Sequence, residues 1–579
     1  MLLFFLKLCI LIISNLGLWE LLRRKTKVNI YFIPSLTIAL QTSVLFLCGL
    51  LNLLLEATIL ITGIGTAYII RCMWKEKKLP FIKNYVTVGF LFLVAVTVIS
   101  AIALHGSIFW LYDDFSHWGL VVRQMLLNDR FPNFMDVISY KEYPIGSGIY
   151  IYYFSRLLGS SEYIQMIAQT YVMTACLLPL FSFCKTNRLP ALLFVFCFTN
   201  FFFCYNIPLS SLLVDTMLPV VSACALLYMY KYCYNSDKCI EFYLSGAYLI
   251  QIIQIKNSGV FFVLIAAAWL VYRAIRQKSY SRGAILLLMP LISFILWHAH
   301  CRYVFVDARY SKHAMSSEYY GRTVLQKSAE ELINIPKSVF AFAVYFKETW
   351  ITVGFFLILG VVTFLLATEY KSMWIRTSFF CGAVFVVYQI GLALMYLFSM
   401  PIEEAVALAE IFRYERTVLI FVLYASLPLC MKLLSRARSE WMNTYLLPAM
   451  LCLIALAFPF LFTGRADLAW SNAKASEHEW TKERVWIEKQ IKKYSIPYEG
   501  SYCLCIPHSD RGFSNCLCMY LFLSKNITVS VIDNPEELNE IRSQYILVYD
   551  ENNEMIEEWV SRNYPDQAGN SVIINQPGV

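Results

Sequence analysis

Hydrophobic positions along the chain fall in blocks of roughly 18–25 residues, separated by short basic clusters. At 1.5 Å per residue such a block crosses a hydrocarbon layer about 30 Å thick, so each predicts a membrane-spanning helix. The first block, about Leu2 to Leu22, has only Lys7 before its apolar core and no small-residue cleavage site after it. Arg23, Arg24, Lys25 and Lys27 follow at once, which predicts a retained helix with its N-terminus outside. The other basic clusters are Lys75/Lys77/Lys78, Lys185/Arg188, Lys231/Lys238, Arg273/Arg276/Lys278/Arg282, Lys371/Arg376 and Lys432/Arg436/Arg438. Placing each on the cytoplasmic side pairs the blocks off into about fourteen spans, with a range of about 12–14 because two hairpins have short connections. The expected spans lie near 2–22, 31–54, 57–74, 84–105, 162–183, 189–206, 209–230, 239–255, 258–272, 283–304, 349–368, 376–399, 417–435 and 443–463.

Two long outer loops are expected, near 106–160 and 305–348, within a multi-span domain covering 1–464. From 465 to 579 the pattern turns polar and alternates short apolar runs with helix-like stretches. The runs are Tyr502–Ile506, Ile527–Ile532 and Tyr545–Tyr549, and the stretches are Ser514–Leu523, Pro535–Gln544 and Asn553–Tyr564. That order predicts a small extracytoplasmic α/β domain. The fold class is therefore an all-α polytopic membrane protein with a C-terminal α/β appendage.

Composition supports this and excludes other classes. Of 579 residues 59% are hydrophobic and 15% charged, where a soluble chain carries about a quarter charged residues. The net charge of +8 is scattered between apolar blocks, so it reads as a topology signal and not as a nucleic-acid surface. No Gly-Lys dipeptide is present, so no P-loop; Asp-x-Asp, His-Glu-x-x-His and Gly-x-Ser-x-Gly are absent as well.

The remaining chemistry rests on sparse ionisable residues. Tyr112-Asp113-Asp114-Phe115-Ser116-His117-Trp118 follows the fourth span and sets paired carboxylates between aromatic residues. Close like charges raise one carboxyl pKa, which suits a general base; an ordinary aromatic interface belt is the alternative. Tyr143-Pro144-Ile145-Gly146 leads into Ile149–Leu158, a run too short to span, expected to lie in the interface beside the acidic pair. Asp215 falls inside the expected seventh span, as a functional carboxylate or as interhelical glue. Lys256, in Gln254-Ile255-Lys256-Asn257-Ser258-Gly259, sits at an outer turn, where it either holds a phosphate or snorkels to the interface. Arg413 and Tyr414 enter the thirteenth span from outside, and Arg413 either engages a phosphate or pairs with Glu410 on its own helix. Arg302, Arg309, Lys312 and His313 are read as solvated loop residues. Cys503-Leu504-Cys505 and Cys516-Leu517-Cys518 fit core packing or disulfides better than a zinc site, since Cys503 and Cys505 share one strand face.

These motifs together resemble the GT-C superfamily of membrane glycosyltransferases. Its members are multi-span proteins that use polyprenyl-phosphate-linked sugars outside the cytoplasm, among them protein mannosyltransferases and the lipid A aminoarabinose transferase. The likeness rests on Asp113 and Asp114 in the first long outer loop, Tyr143-Pro144, the Lys256-Asn-Ser-Gly hairpin, Arg413-Tyr414 and the C-terminal domain. It covers most of the chain as an architecture, through a handful of short motifs. There is no Trp-Trp-Asp, which disfavours an oligosaccharyltransferase, and His117-Trp118 stand where several branches have Asp-Glu.

The resemblance implies an inverting transfer of a sugar from a polyprenyl-phosphate donor to a cell-envelope glycan or lipid-linked acceptor. It implies a multi-pass protein of the bacterial cytoplasmic membrane, with Asp113 or Asp114 as base. Lys256 and Arg413 would hold the phosphate, with His117, Tyr143, Asp215 and Tyr414 lining the substrate site. No cofactor is required, because the leaving phosphate is already a good one; a divalent cation is compatible with the chemistry. A polysaccharide polymerase or ligase using Arg302 or Arg309, and a flippase of lipid-linked glycans, are the alternatives.

Overall fold

The computed structural model describes residues 2–76, 82–184, 188–233, 239–278, 280–435, 447–464, 468–471, 473, 481–507, 509–531, 541–549 and 554–575. Among these, nine helices are long and apolar enough to cross a membrane. They are Leu2–Lys25, Ile30–Gly49, Leu54–Lys75, Glu162–Phe183, Gly259–Gln277, Tyr280–Val304, Lys347–Leu366, Thr368–Phe398 and Ile411–Leu434. Shorter apolar helices fill the other expected spans: Val88–Leu104, Leu189–Tyr205, Met217–Tyr232, Ile240–Ile255 and Leu451–Phe462. The protein is thus a polytopic, all-α membrane protein with a small C-terminal sheet. Lys77, Lys78, Lys185, Lys238, Arg436 and Arg438 of the basic clusters lie outside the described residues.

The helices satisfy their own backbone groups, which is what lets apolar segments sit in hydrocarbon. Packing between them uses small residues and aromatic rings. The first and third spans cross where Gly17 meets Gly65: a Cβ on Gly17 would lie 1.8 Å from the Gly65 carbonyl oxygen. A Cβ on Gly65 would lie 2.3 Å from the Ser14 carbonyl oxygen, so neither position admits a side chain without the helices separating. Elsewhere Phe198, Phe201, Phe355, Phe458 and Phe462 interlock with ring centroids 5.0–6.4 Å apart. The most enclosed span is Ile411–Leu434, which carries Arg413 in its first turn.

Three expectations need correction. The 305–348 segment is not a loop: it folds largely as the helices Ser317–Leu325 and Ala329–Tyr345. The second starts with a reciprocal cap between Ser328 and Glu331, a signal present in the sequence. The 146–158 helix does not lay a face on lipid as expected; Gly146 through Ser155 are all buried, because the helix packs among several spans. The expected seventh span starts late, at Met217, so residues 209–216 are not helical and Asp215 precedes the helix.

The C-terminal sheet has four strands, β1 (Ser501–Ile506), β2 (Asn526–Val531), β3 (Tyr545–Val548) and β4 (Val572–Ile574), in the order β2-β1-β3-β4. β1 runs parallel to β2 and β3, and β4 pairs antiparallel to β3. Central β1 is buried on both faces: Cys503 and Cys505 pack with Ile546 and Trp559, while Tyr502, Leu504 and Ile506 join the main core. Cys503, Cys505, Cys516 and Cys518 are buried free thiols, so the core-packing reading holds and no disulfide forms among them. The helices Phe513–Phe522 and Glu554–Asn563 match two expected stretches, whereas Pro535–Glu540 of the third lies outside the described residues and 541–544 are not helical. The sheet is anchored to the membrane helices through Glu162. Its carboxylate accepts from both terminal nitrogens of Arg484 (2.7 and 2.9 Å), from the Tyr520 hydroxyl (2.5 Å) and from the Phe109 backbone (2.5 Å).

The glycine crossing gives a direct test. Gly17→Val or Gly65→Val should cost about 2–3 kcal/mol by forcing backbones apart, read as a lower thermal midpoint in detergent. Gly63→Val, whose new side chain meets open space, should melt like the wild type. Equal midpoints for all three variants would refute the crossing.

Candidate functional site

Between the Val88–Leu104 helix and the Gly119–Asn128 helix, the chain makes one π-helical turn, Asp114–Trp118. Such turns are uncommon and concentrate where side chains must be re-aimed. Here the two neighbouring aspartates part company. Asp113 turns outward, its side chain 30% exposed, and accepts a 2.8 Å hydrogen bond from Arg413 Nη1. Asp114 turns inward and is fully buried, where its Oδ1 accepts from the Leu212 backbone at 2.8 Å and the Ser211 hydroxyl at 3.2 Å. Asp114 therefore fastens the non-helical 209–216 segment, which Gln169 also grips through the carbonyls of Ser211 and Leu213.

That segment ends in Asp215. Its carboxylate receives Lys256 Nζ at 2.7 Å and faces Arg413 Nε at 3.5 Å. Lys256 is buried and does not snorkel, since its hairpin is held inward by a close contact. A Cβ on Gly146 would sit 2.5 Å from Gln254 Cβ and 2.7 Å from the Gln254 carbonyl oxygen, so only glycine lets the two segments touch. Arg413 pairs with Glu410, as one reading of the sequence held, but only at 3.5 Å; its shorter bond reaches Asp113 across the fold. The Lys256 ammonium and the Arg413 guanidinium lie over the Tyr414 ring at 5.1 and 5.9 Å.

The structure thus brings Asp113, Asp215, Lys256, Arg413 and Tyr414 into one charged cluster drawn from four chain segments. His117 and Tyr143 meet edge to face beside it, ring centroids 5.0 Å apart, with Trp118 and Tyr140 completing an aromatic wall. Asp114 is adjacent in sequence but withdrawn. Arg302 and Arg309 pair with Glu142 and Glu318, not with the acids of the cluster, and Lys312 pairs with Glu404 at 2.6 Å.

The loop before Arg413 stores strain: Leu408 and Glu410 both hold left-handed backbone, φ 48° and 61°. Each such residue costs on the order of 1 kcal/mol or more and persists only where its surroundings insist on it. Sequence reasoning missed several supports. Asn206 donates to the Arg413 carbonyl at 3.1 Å, Thr417 donates to the Asp215 carbonyl at 3.1 Å, and the Tyr388 hydroxyl donates to the Tyr414 carbonyl at 3.2 Å. Among the described residues, no three His, Cys, Asp or Glu side chains gather as a metal would need. Comparison with family models, with curated proteins and with solved structures returned no match.

Burial acts oppositely on Asp114 and His117. It raises the Asp114 carboxyl well above its usual range, against the two hydrogen bonds that lower it. It pushes the His117 imidazole down to about 4, so the ring is neutral near pH 7. The folded state keeps a proton on Asp114 that an unfolded chain loses near pH 4, so this group's contribution to stability falls as pH rises from about 4 through the raised pKa. For His117 the contribution is complete above about pH 6.5 and is lost as pH falls from there through the folded value. Asp114→Asn should flatten the first slope in thermal midpoints measured against pH, and His117→Phe the second. Slopes identical to wild type would mean that neither group titrates differently on folding.

Proposed function

We propose that the protein is a membrane glycosyltransferase that moves a sugar from a polyprenyl-phosphate donor to an envelope glycan or lipid-linked acceptor on the extracytoplasmic face. The observation that carries this reading is Arg413, held between Asp113 at 2.8 Å and Asp215 at 3.5 Å with Lys256 on the far side of Asp215. A buried Lys256 and a half-buried Arg413 beside an accessible carboxylate are what a phosphate leaving group and an acceptor hydroxyl require. The Nε of Arg413 and the Oδ2 of Asp215 make no hydrogen bond, so the cluster holds unused donor and acceptor capacity.

In this reading a donor phosphate takes Arg413 and draws it off Asp113. Loss of that pairing frees the Asp113 carboxylate to face the acceptor hydroxyl as substrate arrives. Asp113 then accepts the proton of the acceptor hydroxyl, the acceptor oxygen bonds to the anomeric carbon, and the bond from that carbon to the phosphate oxygen breaks with inversion. The electron pair leaves on the polyprenyl phosphate, whose charge Arg413 and Lys256 balance. Asp215 keeps both cations in place, and Asp114 holds the segment that carries Asp215.

Asp113→Asn should lower transfer by about 10²–10⁴-fold, the usual share of a general base. The assay compares strains expressing wild type, Asp113→Asn and Asp114→Asn at equal levels, scoring envelope sugar composition and the polyprenyl-phosphate-sugar pool. Loss of one sugar with accumulation of its lipid donor in Asp113→Asn is the expected result. An unchanged sugar profile and donor pool would end the transferase reading.

A further inference from the structure

Away from the cluster, a cavity of about 760 Å³ opens where the first span, the 106–108 turn, the 155–163 bend and the C-terminal domain meet. Four cations line it: Lys7, Arg123, Arg156 and Arg484. Arg484 is satisfied by Glu162 at 2.7 Å and Glu488 at 3.0 Å, and Arg156 by Asp129 at 2.9 Å. Lys7 and Arg123 have no carboxylate partner among the described residues. Arg123 rests over the Tyr520 ring at 4.7 Å, and its one described hydrogen bond, to the Leu521 carbonyl, is a long 3.4 Å.

The cavity wall also leaves a polar group unmet. Ser155 is 1% exposed, yet its hydroxyl has no partner, although it lines this space. A buried hydroxyl without a partner costs about 1–3 kcal/mol, which a bound acceptor oxygen would recover. An arginine fork, an ammonium and a free hydroxyl converging on one cavity are the donor set for a phosphate.

The position decides which phosphate. Lys7 follows Leu2, Leu3, Phe5 and Leu6, which are 83%, 65%, 62% and 56% exposed on a membrane-spanning helix. A phosphate held by Lys7 has its substituent beside side chains that face lipid. We propose that this cavity is a second anion site that binds the phosphate headgroup of a membrane lipid, independent of the glycosyltransferase reading. Occupancy bridges the first span to the helix Lys482–Tyr494 and strengthens the docking of the C-terminal domain.

The test uses the full chain in detergent, with dioleoyl phosphatidic acid as probe and native mass spectrometry as readout. Lys7→Gln and Arg123→Gln should each weaken retention about tenfold, the loss expected for one charge-assisted contact. Arg562→Gln, whose exposed side chain pairs only with Glu558, should bind like wild type. Lys7 makes no described hydrogen bond or ion pair, so its variant separates lost binding from lost folding even if Arg123→Gln unfolds; thermal midpoints without lipid check this. Retention that persists in excess inorganic phosphate identifies a lipid headgroup. Displacement by inorganic phosphate would overturn the lipid assignment in favour of a free anion, and equal retention by wild type and both variants would overturn the site itself.

Discussion

Asp215 is the charge on which the rest of this arrangement depends. It is 2% exposed among membrane helices, where an uncompensated carboxylate costs several kcal/mol. Lys256 at 2.7 Å and Arg413 at 3.5 Å meet that cost together, and the buried Lys256 has no other carboxylate partner among the described residues. The chain ends of three elements are thereby fixed: the entrance to Met217–Tyr232, the exit of the Cys239–Ile255 helix and the first turn of Ile411–Leu434. A cation in a first turn opposes the helix dipole, so Arg413 stays there only because Asp113, Asp215 and Glu410 surround it.

The backbone around this knot is built to the same end. Gly146 brings the 146–158 helix against Gln254, so the turn bearing Lys256 cannot drift outward. Thr417 and Asn206 tie the Asp215 segment and the Arg413 helix by backbone carbonyls, bonds that survive when the charges move. The left-handed residues Leu408 and Glu410 set the angle at which that helix begins. Neutral contacts thus hold the geometry independently of how the charges pair.

Much of the architecture was legible because hydrophobic length alone reports a span: each of the fourteen expected blocks contains an apolar helix, although the 209–230 block is helical only from Met217. The alternating tail pattern likewise marked β1, β2 and β3, while β4, only three residues long, gave too short a period to see. Within the site, the individual residues stood out but their partners did not. Asp215 and Lys256 are 41 residues apart, and each has a bland explanation when taken singly. The available signal was their sum: a carboxylate inside an apolar block and a lysine at a neighbouring turn are opposite charges that stabilise each other when buried together. The late start of the Met217 helix was likewise marked by Pro208 and the Ser210-Ser211 pair, polar punctuation inside an apolar block. The interfacial reading of 149–158 failed because its tyrosines suggested a water boundary, whereas Tyr150 and Tyr153 are buried against other spans.

The acidic pair shows how far adjacency misleads. Two neighbouring aspartates suggest mutual repulsion and a shared proton, but on a helical turn successive side chains diverge by about 100°. Asp114 is taken up by Leu212 and Ser211 and meets no open space, so a substrate cannot reach it without unfolding the 209–216 segment. Asp113 retains solvent access and, among the described residues, is paired through Arg413, the residue a phosphate would compete for. Under the proposed transferase reading, the cation that would hold the leaving phosphate also covers Asp113 until a donor is present. The turn itself divides the pair: Asp114 fastens the 209–216 segment, and Asp113 meets Arg413 with part of its carboxylate exposed.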